Sequence, residues 1–175
     1  MTTVVANTEH LPGLAELLER RKKLGQDRYD EVWDGVYHVA ATLRFGHGRL
    51  QLQLGVVLTG LALPGLVVGG PANIGSGEQD HRVPDLVVLR EPADDTVLWL
   101  PTAAMVVEVR SPGDETYAKF GFYHAQGVEE ILVADPAERE LLLIVRDPPR
   151  RYLQAQDSAV FAVDVARMVR DLTWP

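Results

Sequence analysis

The sequence predicts an α/β domain, a mixed β-sheet flanked by helices, and three observations predict it. Two stretches carry apolar residues at helical spacing, a middle third holds short β-rich runs, and the elements follow the order α, ββ, α, several β, α, ββ, α. The 175 residues suffice for one domain and fall short of two. Residues 1–175 are therefore expected to form a single unit, with 1–11 as a flexible N-terminal tail.

Each element has a local reason. Leu14, Leu17, Leu18 and Leu24 recur between charged residues, which predicts an amphipathic helix from about Pro12 to Leu24 with Glu16 and Glu19 ahead of the basic run Arg20 to Lys23. Tyr29 to Trp33 and Val36 to Ala40 flank Asp34-Gly35, a dipeptide suited to the type I′ turn of a hairpin. Leu50, Leu54, Val57, Leu58 and Leu61 keep a 3.6-residue period within a helix from His47 to Leu63, stopped by Pro64-Gly65. Leu66 to Val68, Val83 to Leu89, Val97 to Leu100 and Ala103 to Val109 read as strands, and Gly75-Ser76-Gly77 as a flexible hairpin turn. Asp114 is positioned to cap a helix running to about Gln126 and closed by Gly127. Two strands around Asp135-Pro136, a further strand or two and a terminal helix near Val163 to Leu172 complete the order.

Composition narrows the function. With no cysteine, disulfide scaffolds, thiolate metal centres and thiol nucleophiles are excluded, and a cytoplasmic location is expected. A net charge of -8 has the wrong sign for a protein that coats nucleic acid through a uniformly basic surface. The most apolar stretch, Leu50 to Gly70, is broken by Gln51, Gln53, Pro64 and several glycines, so no membrane association is expected. The histidines form no zinc-binding spacing, a phosphate-binding loop is missing, and Gly75-Ser76-Gly77 lacks the nucleophile elbow of an esterase.

One constellation carries chemistry. Asp85 follows Val83-Pro84 at the mouth of a strand, Glu108 interrupts the apolar run Val106 to Val109, and Lys119 lies on the helix that follows. Period-two alternation puts Glu108 on the face of Val106 and Arg110, opposite Val107 and Val109. If the two strands are neighbours, both carboxylates can converge on Mg²⁺, a hard cation that prefers oxygen ligands and keeps several waters. An ammonium beside them would orient or stabilise the attacking hydroxide. Only 3 of the 17 basic residues are lysines, Lys22, Lys23 and Lys119, so lysine occurs once beyond the first helix. Structural alternatives stand beside this reading: Asp85 as a turn-entry residue, Glu108 in a buried ion pair with Arg110 or Lys119, Lys119 on a solvated face.

The ordered set of Asp30-Glu31-Val32-Trp33-Asp34-Gly35-Val36, His47, Val83-Pro84-Asp85, Val107 to Thr116, Lys119-Phe120, Tyr123 and Gly127 to Pro136 resembles the Uma-two family of restriction-endonuclease-like proteins, a bacterial branch of the PD-(D/E)xK nuclease superfamily. The resemblance spans most of the chain. It implies a restriction-endonuclease-like core with an N-terminal helix and hairpin, a Mg²⁺ (or Mn²⁺) site on Asp85 and Glu108, and hydrolysis of DNA phosphodiester bonds. It also implies Glu31 as a further acidic site residue, so that the catalytic set is Glu31, Asp85, Glu108 and Lys119. The sequence departs from the superfamily pattern at Arg110, where lysine is usual; arginine cannot share its proton with a nucleophilic water. The resemblance implies that Lys119 stands in for it from the next helix. A homodimer is expected by analogy with nucleases acting on two-fold DNA. The alternative is a nuclease-fold protein without catalysis, acting as a regulatory or nucleic-acid-binding module. Arg44, Arg49 and Arg82 flank the site in sequence as a local positive rim or as solvated charges, whereas Trp33, Trp99, Phe120 and Tyr123 read as structural aromatics.

Overall fold

The computed structural model describes residues 4–6, 13–147 and 151–175, and its centre is a six-stranded mixed sheet. Its strands are β4 (Leu66–Gly69), β7 (Leu86–Arg90), β9 (Met105–Val109), β10 (Glu130–Asp135), β11 (Glu140–Asp147) and β12 (Arg151–Ala155). They lie in the order β12-β11-β10-β9-β7-β4. The strand β9 is flanked by β10 in parallel and β7 in antiparallel pairing, and all of its residues are buried. Its apolar run thus follows from having both faces covered.

One face is covered by α2 (Phe45–Leu61) and α4 (Val165–Val169). Leu50, Leu54 and Leu58 of α2 are fully buried against Val107, Val109, Leu132 and Leu143, while Val57 and Leu61 sit at the margin. Each buried leucine contributes about 1.5–3 kcal/mol. On the other face Val106, Ile131 and Val133 pack on Tyr123 of α3 (Phe120–Ala125) and on Ile74. The alternation expected along 106–109 is therefore the one observed.

A second six-stranded sheet joins the N-terminal hairpin to the middle of the chain. It comprises β1 (Val4–Ala6), β2 (Glu31–Trp33), β3 (Val36–Val39), β5 (Asn73–Gly77), β6 (Asp80–Arg82) and β8 (Trp99–Leu100). Their order is β1-β3-β2-β6-β5-β8. Asp34 and Gly35 both take positive φ, 49° and 80°, as the turn between β2 and β3 demands. The helix α1 (Leu14–Lys23) precedes it, and a small antiparallel pair, β13 (Asp157–Ser158) and β14 (Val163–Asp164), leads into α4.

Three expectations need correction. Gly75-Ser76-Gly77 belongs to β5 rather than to a turn; Gly75 has φ 147°, and a Cβ there would also meet Asp80 O at 2.5 Å, so only glycine fits. Val4–Ala6 pairs with β3 instead of forming part of a free tail, while the rest of segment 1–11 lies outside the described residues. The helix expected from Asp114 to Gln126 is split into a 3₁₀ turn at Thr116–Lys119 followed by α3. There Asp114 accepts from Ser111 N and from Thr116 N and Oγ1, which closes a turn on itself before the helix starts. Gly127 ends α3 with φ 77°, as expected.

Candidate active site

A cleft of about 230 Å³ opens where the two sheets meet, and Glu31, Asp85, Glu108 and Lys119 all line it. Four separate elements deliver them. Glu31 opens β2, Asp85 directly precedes β7, Glu108 lies in β9 and Lys119 ends the 3₁₀ turn. Leu86 pairs with Val107, so extending the antiparallel register by one step sets Asp85 beside Glu108. The backbone N–H of Val109 donates to Asp85 Oδ2 at 2.7 Å and fixes that arrangement.

Lys119 binds the acids together. Its ammonium lies 2.9 Å from Glu31 Oε1 and donates to both carboxylate oxygens of Glu108 at 3.1 Å. Side-chain exposure is 14% for Lys119, 10% for Glu31 and 6% for Glu108, so these charges are nearly out of water. Burial alone would strip the lysine proton, but the Glu108 and Glu31 carboxylates outweigh it and hold the ammonium above its ordinary value. Glu108 is pushed up to about 7, chiefly by burial, with Lys119 opposing and Asp85 and Glu31 adding like-charge repulsion. Of the alternatives open at the level of sequence, the ion pair of Glu108 is made with Lys119.

Other side chains hold the acids in place. Tyr123 donates to Glu108 Oε1 at 2.5 Å, Trp33 Nε1 to Glu31 Oε2 at 2.7 Å, and Val83 N to Glu31 Oε1 at 2.8 Å. His47 places Nε2 2.8 Å from Asp85 Oδ1 and Nδ1 3.2 Å from Ser111 Oγ. Burial works against protonation of His47, but the hydrogen bond and charge of Asp85 prevail and raise its value. Gln51, one helical turn further along α2, donates to the backbone carbonyl of Asp85 at 2.8 Å. His38 stacks on Trp33 with ring centroids 4.2 Å apart and lies 3.4 Å from Glu115. Its value is lowered by burial, with Glu115 opposing.

The sequence reading treated Trp33 and Tyr123 as purely structural, and both touch a site carboxylate. Tyr123 lies four residues after Lys119 and Gln51 four after His47, the spacing that brings two side chains onto one helical side. That spacing was the available signal. Trp99 and Phe120 remain structural, packed edge-on against His81 and against Tyr117 and Tyr152.

The expected arginine rim is corrected on two of its three members. Arg82 is buried between the rings of Trp33 and Phe122, at 4.5 and 4.1 Å, and donates to Val32 O and Asp80. Arg49 donates to Trp174 O. Arg44, at the start of α2, is the exposed member. Arg110 pairs with Asp135 and lies over Tyr117 at 4.9 Å, outside the cleft lining, so Lys119 is the ammonium that reaches the acids.

A mixed sheet flanked by helices, with Glu31, Asp85, Glu108 and Lys119 gathered in a single cleft, defines an α+β domain. The crystal structure of "a putative nuclease belonging to DUF820" from Anabaena variabilis superposes with a TM-score of 0.60 at 15% identity, covering 80% of this chain and 89% of that one, a likeness of fold. The family model Uma2, described as "Putative restriction endonuclease", matches residues 15–166, and the chain belongs to that family. No curated protein matches. Among the described residues no helix is long and apolar enough to cross a membrane, and no group of three or more His, Asp or Glu side chains is arranged to hold a metal ion.

Proposed function

We propose that this protein is a Mg²⁺- or Mn²⁺-dependent endonuclease that hydrolyses DNA phosphodiester bonds, with Asp85 and Glu108 as metal ligands, Lys119 as the water-positioning ammonium and Glu31 completing the acidic pocket. The observation that carries this reading is the buried Lys119 ammonium shared by Glu31 and Glu108 in the cleft that Asp85 also lines. The donor set fits a hard cation. Glu31, Asp85 and Glu108 face Lys119 and His47, and Glu108 is destabilised as an anion by burial and its acidic neighbours, which a divalent ion would relieve. With two protein carboxylates available, the remaining positions fall to water and substrate phosphate, the usual pattern for Mg²⁺.

When bound, the cation would neutralise a phosphate oxygen and lower the pKa of water. The chain's own groups do the rest. Lys119, charged and pinned, holds a water by hydrogen bonding while Glu31 fixes the lysine's position. Tyr123 and the Val109 N–H keep Glu108 and Asp85 oriented, and His47 with Gln51 braces Asp85 from α2. A homodimer suits a two-fold duplex, and a chain without cysteine suits the reducing cytoplasm.

A second reading, a nucleic-acid-binding or regulatory module without hydrolysis, is favoured by one observation: the Glu108 oxygens already bond to Lys119 and Tyr123, and those of Asp85 to His47 and Val109. Plasmid DNA incubated with Mg²⁺ or Mn²⁺ separates the two. The nuclease reading expects cutting that EDTA, Asp85→Ala and Glu108→Gln each abolish; intact plasmid at every metal concentration leaves the second reading.

A further inference from the structure

The helix α2 is apolar on more sides than the fold uses. Leu50, Leu54 and Leu58 fill the core, His47 and Gln51 on one flank reach Asp85, and Arg49 and Gln53 on the other donate to the carbonyls of Trp174 and Thr173. One stripe is left over. Phe45, Leu52 and Val56, seven and four residues apart, lie along it and are 86%, 70% and 66% exposed. A Cβ at Gly48, one turn before Leu52, would meet nothing within 4 Å. A helix that ends in water carries polar residues on its outer side, and a helix apolar all round is one that is covered.

Area and charge select what covers it. The three side chains expose roughly 400 Å² of apolar surface, a patch of the size that marks a protein contact. Apolar atoms make up a little over half of a specific interface, so two copies meeting on this stripe would bury about 1,400 Å² in all, within the range of stable complexes. The chain carries 25 acids and a net charge of -8, which makes two copies repel over most of their surface, yet no Asp or Glu occurs between Asp34 and Glu78. The whole of α2 lies inside that acid-free stretch. Its stripe therefore brings no carboxylate of its own against another copy's, whereas a basic partner would find nothing on it to pair with. An uncharged apolar stripe is complementary to itself, as a two-fold contact requires.

We propose that two copies of this chain pair through α2, helix against helix and antiparallel at a shallow angle, about a two-fold axis at Leu52. Leu52 lies midway between Phe45 and Thr59, so the axis sets Phe45 of each copy beside the exposed Thr59 of the other and Val56 into the open space at Gly48. The same arrangement brings the exposed Arg44, at the N-cap, to the carbonyl end of the opposite helix, where a cation is favoured. The inference goes beyond the nuclease reading, which asks for a two-fold protein without saying which surface supplies it, and it uses none of the acids of the cleft. Because His47 and Gln51 ride on the same helix, the pairing holds the two clefts at one fixed spacing.

Sedimentation velocity of the whole chain over about 1 to 100 μM tests the proposal. The wild type is expected to sediment as a dimer, and Leu52→Glu, which sets two carboxylates against each other at the axis, should weaken dimerisation by at least about a hundredfold while circular dichroism stays unchanged. Leu17→Glu, at a side chain 53% exposed on α1, should leave the dimer intact. The chain has no cysteine, so Leu52→Cys supplies a single thiol, which a short bis-maleimide should link into a covalent dimer, whereas Leu17→Cys should stay unlinked. A wild type that is monomeric throughout, or a dimer that Leu52→Glu leaves untouched, overturns the proposal. A monomer that still cuts plasmid overturns the pairing alone, and a dimer through Leu52 that never cuts overturns the nuclease reading alone.

Discussion

Replacing Lys119 with methionine keeps most of the side chain's stem and removes the charge, leaving Glu31 and Glu108 buried without their cation. Lys119 makes three contacts of 2.9 to 3.1 Å to these acids, all at sites at most 14% exposed. Removing one partner of a buried ion pair costs about 3–5 kcal/mol, a large part of the roughly 5–15 kcal/mol that holds a domain folded. Urea denaturation of wild type and variant, followed by tryptophan fluorescence and circular dichroism, measures it. The loss should depend on pH in a fixed direction. Glu108 already stands at about 7 against an ordinary value of 4.5, and without the opposing ammonium it moves higher. A carboxyl raised in the folded state contributes its full stability below its unfolded value and loses it as pH rises through the folded one. The variant should therefore be least penalised near pH 5 and most penalised above about pH 7, with each unit of added upward displacement worth about 1.4 kcal/mol. A penalty below about 1 kcal/mol that stays flat across this window would show that the pair is solvated, and would refute the buried-charge account of the site.

Other perturbations probe separate parts of the fold. Gly75→Ala forces a Cβ to within 2.5 Å of Asp80 O at φ 147°, and should lower stability by at least about 1–3 kcal/mol, seen as a reduced midpoint in urea. Glu130 is buried and accepts from Ser158 Oγ, Ala159 N and Val160 N at 2.6, 2.7 and 3.2 Å; Glu130→Ala should cost about 3 kcal/mol, and a loss under about 1 kcal/mol would contradict its role as anchor of the β13 turn. Under the proposed nuclease function, Arg110→Ala should leave plasmid cleavage within about threefold of wild type, because its partner is Asp135 at the rim of β10; a loss of about a hundredfold or more would move it into the proposed catalytic set.

The parts of this fold that were legible from sequence were those where a local rule and the tertiary environment agree. Asp34-Gly35 announced its turn, Leu50, Leu54 and Leu58 marked the buried side of α2, and Glu108 stood out as the one acid in an apolar strand. The strands β5 and β6 were not legible. Asn73–Gly77 holds two glycines and Asp80–Arg82 is wholly polar, and what makes them strands is pairing with each other and the clamping of Arg82 between Trp33 and Phe122, a distant set of partners. Of the site, the four charged residues could be named and His47 noted beside them, whereas Trp33, Tyr123 and Gln51 could not be named as supports. His47 shows Asp85 only once α2 is laid across the start of β7, and Glu115 meets His38 only through the packing of a loop on the hairpin.

The amine in this cleft rides on a helical turn while two of its acids are tied to strands β2 and β9. Strand register quantises position in whole residues, but a helical turn at the end of a short loop can slide or rotate by fractions of that step. The length of the connection from Arg110 to Glu115 thus acts as a tuning screw: shortening or lengthening it by one residue would retune the amine's reach while leaving every ladder in the sheet intact. A one-residue change in that connection would be expected to alter the proposed cleavage far more than stability.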